Sequence, residues 1–107
     1  MTDSAKDFIC SLPQQVKKEW LKGIDTNFHF DISGKTGGQF SVIAADEKLE
    51  VHEYFTGKPK CIISSKDVHF IKLLKGELNP VMALLTGKLK VSDQEEVIKH
   101  AKIFGLM

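Results

Sequence analysis

The sequence predicts an α+β domain, a mainly antiparallel sheet with helices gathered on one face. Three observations predict it. Apolar residues recur every three or four positions over the first 22 residues; they alternate with polar ones from 26 to 65 without an intervening helical segment; and helical spacing returns after 65. At 107 residues the chain has the size of one domain with a two-layer core, so residues 1–107 are read as a single unit.

Ile9, Leu12, Val16 and Trp20 fall on one helical face. Pro13 suits the first turn of a helix, so the spacing predicts a short helix, a kink, and a second helix over 13–22 closed by Gly23. In TNFHFDISG (26–34), Phe28, Phe30 and Ile32 point one way, while Asn27, His29 and Asp31 point the other, toward solvent. GKTGG is a turn of residues that tolerate positive φ, and QFSVIAA (39–45) then puts Phe40, Val42 and Ala44 on one face. Asp46-Glu47 reads as a tight turn into KLEVHEYF (48–55), with Leu49, Val51 and Phe55 in register, and TGKP leads on to KCIISS (60–65). The first three of these strands form an antiparallel meander.

Ser64 or Ser65 can cap a helix over 67–75, with Asp67 favourable in its first turn and Gly76 at its end. Asn79-Pro80 is a cap followed by a first-turn proline and predicts a second short helix over 80–86, stopped by Gly87. KLKVS (88–92) alternates as a short strand. Ser92-Asp93-Gln94-Glu95 matches a capping box that starts a last helix, EEVIKHAKIF, before Gly105.

Composition narrows the function classes. With 42% hydrophobic and 27% charged residues the chain is not a disordered one. Its 15 basic residues are offset by 14 acidic ones and build no basic run, so no nucleic-acid partner is read. No stretch approaches the roughly 20 apolar residues of a membrane-spanning helix. MTDSAKDFICSLPQQ is not a secretory signal, and IFGLM is not a peroxisomal address. Cys10 and Cys61 form neither a CxxC motif nor a disulfide framework; they read as buried free thiols in a reducing compartment, and the location as cytoplasmic.

No constellation of catalytic residues assembles from the sequence. GKT at 34–36 lacks the earlier glycine of a phosphate loop, that position being His29, and it joins two strands. His29 with Asp31, and Glu50 with His52, share the polar faces of strands at spacings that are not those of a metal site. Cys61 lies in an apolar strand, where burial raises its pKa, and no GxSxG elbow is present. A hydrolase or thioesterase using Cys61 or His69 therefore has no convincing nucleophile. What stands out is apolar surface. VMALL (81–85) is apolar nearly all round on a two-turn helix, well beyond the stripe of about 100° that a surface helix needs.

The segment PKCIISSKDVHFIKLLKGELNPVMALLTGKLKV (59–91) resembles the signature half of the sterol carrier protein type 2 (SCP2) sterol-binding domain family. An apolar strand with a cysteine (Cys61-Ile62-Ile63) leads to an acidic helix start at Asp67 and an apolar helix to Leu74. The turn Gly76-Glu77-Leu78-Asn79-Pro80, the apolar Val81 to Leu85, and Gly87-Lys88-Leu89-Lys90-Val91 follow in the family's order. FHFDISGKTGGQFSVIAADEKLEV resembles its first hairpin and third strand, so the likeness covers roughly residues 5–104. The short form resembles free-standing members of the family. Longer members continue past the last helix; this chain stops at Met107, so the tunnel mouth is expected to be more open, or closed by a partner or a dimer mate.

The resemblance implies a five-stranded sheet covered by helices, with an apolar tunnel between the layers for a fatty acid, fatty acyl-CoA, phospholipid or sterol-like ligand. It implies a non-enzymatic lipid-binding or transfer role, with no cofactor. The alternative is an accessory domain that presents a lipophilic intermediate, such as an isoprenoid quinone precursor, to partner enzymes. Transient contact with a membrane surface and a homodimer both stay open. A pocket of about 300–1,000 Å³ is the expected scale. A sixteen-carbon chain at ~0.8 kcal/mol per buried CH₂ offers roughly 12 kcal/mol gross. The lining is expected from Phe30, Ile32, Phe40 and Val42 of the sheet and from Phe70, Ile71 and Leu74 of the first post-sheet helix. Met82, Leu85, Ile98, Ala101 and Phe104 complete it, with Trp20 capping one end.

Overall fold

The computed structural model describes residues 4–100. In chain order these form α1 (Ala5–Gln15), a 3-10 turn (Lys18–Leu21), β1 (Thr26–Ser33), β2 (Gly38–Ala45) and β3 (Lys48–His52). They continue with β4 (Cys61–Lys66), α2 (Asp67–Leu74), α3 (Pro80–Leu85), β5 (Leu89–Val91) and α4 (Gln94–Lys99). The sheet order is β3-β2-β1-β4-β5. The predicted α+β architecture, a five-stranded sheet with helices on one face, is what the chain adopts.

The meander β1-β2-β3 is antiparallel throughout, and Asp46 and Glu47 turn its second hairpin with φ of 53° and 59°, the geometry of a two-residue primed turn. β4 then adds to the free edge of β1 in parallel, and β5 closes antiparallel on β4. Alternation holds on the helix-covered face: Phe28, Phe30 and Ile32 of β1 and Phe40, Val42 and Ala44 of β2 are buried. Against them pack Ile9 and Leu12 of α1 and Phe70 of α2.

The opposite face departs from expectation. To pair in parallel with β1, the chain must cross from the β3 edge, and residues 53–60 run over the outer face of β1 and β2. Asn27 Nδ2 and His29 Nε2 each donate to the Thr56 carbonyl at 2.9 Å. Ser41 Oγ donates to the Tyr54 carbonyl at 2.8 Å and accepts from the Thr56 amide at 2.9 Å. His29, read from alternation as solvated, is only 5% exposed and stacks on Phe55 at 4.6 Å. Phe55 is likewise not in register with Leu49 and Val51: β3 ends at His52, and the ring lies over the outer face.

Other corrections are local. α1 runs through Pro13 to Gln15, and the break falls at Val16 and Lys17. Burial of Ile9 and Leu12 in the turn before Pro13 holds the helix across the missing N–H, and the Val16 amide closes the next turn on the Leu12 carbonyl at 3.0 Å. Neither serine caps α2, whose N-cap is Lys66; Ser65 Oγ instead donates to the Lys88 carbonyl at 2.9 Å, tying β4 to the start of β5. The capping residue of α4 is Asp93, one position later than read, because Ser92 Oγ is taken by the Ile62 amide at 2.7 Å. Asn79 caps α3 as expected, accepting from the Val81 and Met82 amides. Cys10 is exposed rather than buried, whereas Cys61 is buried, and both thiols are free.

Asp67 does more than favour a helix start. Its Oδ2 accepts from the Thr36 amide at 3.0 Å and the Thr36 hydroxyl at 2.8 Å, and Oδ1 accepts from the Val68 amide at 2.7 Å. The β1–β2 turn is thus fastened to the start of α2. Gly34 (φ 108°) lies so close beneath this carboxylate that an added Cβ would collide with it. The Thr36 bonds hold the Asp67 carboxyl below its ordinary value. Its contribution to stability is therefore full above the unfolded value, about 3.9, and is lost as pH falls through the lower folded value. We predict that Asp67→Asn is less stable than the parent in urea unfolding at neutral pH, and that this difference shrinks below about pH 4. A pH-independent difference would contradict this.

Candidate functional site

A cavity of about 50 Å³ lies between the helices and the sheet, and every residue that lines it among the described ones is apolar. Its floor is Phe30, Ile63 and Val91, in one row across β1, β4 and β5, with Leu89 beside them. Its roof is Phe70, Leu73 and Leu74 of α2, with Phe8 from α1, Pro80 from α3 and Val97 from α4 completing the wall. Phe70 meets Phe8 at 6.0 Å (68°) and Phe30 at 5.9 Å (73°) between ring centroids, both edge-to-face. Local periodicity aims each floor and roof residue inward, and the β1–β4–β5 register brings the floor residues together.

Of the residues expected to line a tunnel, Phe30, Phe70 and Leu74 border this cavity. Ile32, Phe40 and Val42 are buried in the packed core of the meander. Ile71 borders a separate surface groove with Thr36, Val68 and Lys72. Met82, Leu85 and Ile98 point outward, 53%, 76% and 69% exposed. For Met82 and Leu85 the reason lies in α3, a two-turn helix on the edge strand that turns only Ala83 fully inward, whereas Ile98 lies on α4, which fully buries no residue of Gln94–Lys99. Ala101 and Phe104 fall outside the described residues. Trp20 is half-buried on the 3-10 turn, with Lys17 Nζ 5.5 Å from its ring centroid, and does not border the cavity.

Sequence reading missed Phe8, Ile63, Leu73, Pro80, Leu89, Val91 and Val97. Ile63, Leu89 and Val91 were within reach, since alternation marks the inward positions of both strands; pairing β4 to β1 was the step lacking. The size also differs from expectation. A volume of about 50 Å³ holds a few waters. A long acyl chain can occupy this site only if the layers separate.

The polar groups nearby hold elements together. Thr26 Oγ1 donates to Glu96 Oε2 at 2.6 Å, and His100 Nε2 lies 3.3 Å from the same oxygen, joining β1 to α4. The carboxylate stands at the centre of this trio, so the threonine hydroxyl is engaged by an acid rather than by the imidazole that would activate it. Burial pushes the Cys61 thiol up, away from the thiolate form, and its Sγ donates to the Asp93 carbonyl at 3.4 Å. Among the described residues no group of three or more His, Cys, Asp and Glu side chains is arranged to hold a metal ion.

An α+β shell around an apolar void is the architecture of a small lipid-binding domain, and comparison with known proteins agrees. The chain belongs to the SCP-2 sterol transfer family, whose sequence profile matches residues 8–102. It is 28% identical over 99 residues to hydroxysteroid dehydrogenase-like protein 2 of Xenopus laevis, covering 91% of this chain and 24% of that protein. The chain thus spans about a quarter of the length of the curated relatives it matches. Among solved structures, sterol carrier protein 2 of Yarrowia lipolytica, in its apo form, is 28% identical with a TM-score of 0.63, over 94% of this chain and 84% of that one. Palmitated SCP2L2 of Aedes aegypti superimposes with a TM-score of 0.68 at 18% identity, over 94% of each chain. UbiJ-SCP2, a ubiquinone synthesis protein, does so at 0.60 and 13%, over 94% of this chain and 81% of that one.

The geometry separates structural from spare apolar residues. Phe70→Ala is expected to cost about 3–5 kcal/mol of stability in urea unfolding. Leu85→Ala is expected to change it by no more than about 0.5 kcal/mol. Equal costs would show that the outer side of α3 is packed.

Proposed function

We propose that this chain is a non-enzymatic lipid-binding and transfer protein that takes a single apolar chain, such as a fatty acyl group, between its sheet and its helices. The observation that carries this reading is the cavity under α2 and α3, bordered only by apolar side chains among the described residues. Membership of the SCP-2 sterol transfer family supports it, and so does likeness to a fold solved with palmitate. With no polar group at the wall among the described residues, recognition rests on the hydrophobic effect and on shape.

The cavity enlarges by displacing its weakest cover. α3 buries only Ala83 fully, so this short helix costs least to lift from β5, whereas α4 is held to β1 by the Thr26–Glu96 hydrogen bond. The Cys61 and Thr26 environments supply no activated nucleophile, and the bound chain is released unchanged. No helix among the described residues is long and apolar enough to cross a membrane, and we place the protein in the cytoplasm.

A second reading, presentation of a lipophilic intermediate to partner enzymes, draws on the likeness to UbiJ-SCP2 and on Val81, Met82 and Leu85 along the outside of α3. It requires stable co-purification of those partners.

Native mass spectrometry of gently purified protein, with organic extraction, tests the first reading. One lipid per chain is expected, or one palmitate after titration of delipidated protein. Leu74→Trp, which fills the cavity, is expected to weaken palmitate binding by about tenfold or more, the effect of losing two buried methylenes. Absence of both a carried lipid and saturable palmitate binding would overturn the proposal.

A further inference from the structure

Among the described residues, the outer face of the sheet is covered at one end. Residues 53–60 cross the start of β1, over Asn27, His29 and Ser41. The other end, at the carboxyl ends of the parallel strands β1 and β4, is an open groove of about 450 Å³. Strand register places Asp31, Ser64 and Lys90 in one row across β1, β4 and β5, and Ser33 beside Lys66 in the next. Lys88, Thr86 and His69 close the upper wall.

The charge here is one-sided. Three lysines face a single carboxylate, Asp31, whereas the whole chain carries a net charge of only +1. Lys66, Lys88 and Lys90 take part in none of the ion pairs found among the described residues, which are Lys6–Glu53, His52–Glu50 and His100–Glu96. His69 Nδ1 is buried and has no hydrogen-bond partner. The same ring lines the groove. The Thr86 hydroxyl is spent on the Met82 carbonyl at 2.8 Å. Three ammonium groups, an imidazole and the Ser64 hydroxyl thus line one groove, whose donors outnumber its single carboxylate. That is the chemistry of a tetrahedral oxyanion with several acceptor oxygens. The volume falls within the range of about 300–1,000 Å³ typical of ligand sites.

We propose that this groove is a phosphate-binding site, distinct from the apolar cavity on the other face of the same strands, and that it takes a phosphate monoester or diphosphate. The proposal stands whether or not the cavity holds lipid. The phosphate can belong to a soluble metabolite or to a lipid head group, and the two sources part experimentally.

The test is titration of the ¹⁵N-labelled full chain with inorganic pyrophosphate at low salt, read by amide shifts. Saturable shifts confined to residues around Ser64, Lys66, His69, Lys88 and Lys90 are expected, weakening as sodium chloride is raised. Each of Lys66→Gln and Lys90→Gln, checked for an unchanged spectrum elsewhere, is expected to weaken binding about tenfold or more, the loss of one charge-assisted hydrogen bond. Sedimentation with phosphatidic acid vesicles distinguishes the sources: binding that pyrophosphate competes away and the lysine variants lose assigns the groove to a phosphate on lipid as well. The proposal is overturned by absence of saturable shifts at millimolar pyrophosphate, by shifts spread over other lysines, or by variants that bind like the parent. Vesicle binding that pyrophosphate leaves intact counts against it too. None of these readings depends on palmitate, so failure of the groove and failure of the cavity are separately visible.

Discussion

A parallel strand pair cannot be closed by a tight turn, and the rest of this structure follows from that constraint. β4 lies parallel to β1 although β2 and β3 intervene in sequence. The chain must therefore leave the β3 edge, cross a face of the sheet, and enter β4 from the same end as β1. The helices occupy one face, so the crossing takes the other, and Asn27, His29 and Ser41 bind its backbone there. Because β4 then runs alongside β1, it delivers α2 to the far end of the sheet, directly over Phe30 and Ile63. The cavity is the gap between that helix and the strands it has just left.

The same constraint explains why the described residues around the void are all apolar. Its floor takes inward positions from three adjacent strands, Phe30 of β1, Ile63 of β4, and Leu89 and Val91 of β5. Its roof is the inward stripe of α2. The two short helices beyond, α3 and α4, close the edge with little burial of their own. A tight core would have needed larger inward residues than Ala83 there. The arrangement instead leaves a small space beside α3, while the Thr26–Glu96 hydrogen bond ties α4 to the meander.

Much of this was legible in the sequence. Period-two alternation named the buried faces of β1 and β2 correctly because those strands face a core on one side only. Asn79-Pro80 and Gly87 bracketed α3 to within a residue or so, since capping chemistry is local. The turn at Asp46-Glu47 was legible for the same reason. What could not be read was long-range: His29 looked like any solvated strand residue, and only the crossover buries it. Leu85 and Met82 looked like cavity wall because helix rotation is set by which side meets β5, and Ala83, the smallest residue of VMALL, proved to be the contact. Ser64, Ser65 and Ser92 were credited with capping, whereas tertiary partners claimed Ser65 and Ser92, the Lys88 carbonyl and the Ile62 amide respectively. The apolar excess of VMALL thus lies mostly on its outer side.

The central claim is that an acyl chain enters between α2 and the β1-β4-β5 floor. Isotope-filtered NOEs between ¹³C-labelled palmitate and the unlabelled protein test this directly. The account predicts contacts from the chain to the side chains of Ile63, Leu74, Leu89 and Val97. Contacts confined to Val81, Met82 and Leu85 on the outside of α3 would contradict it.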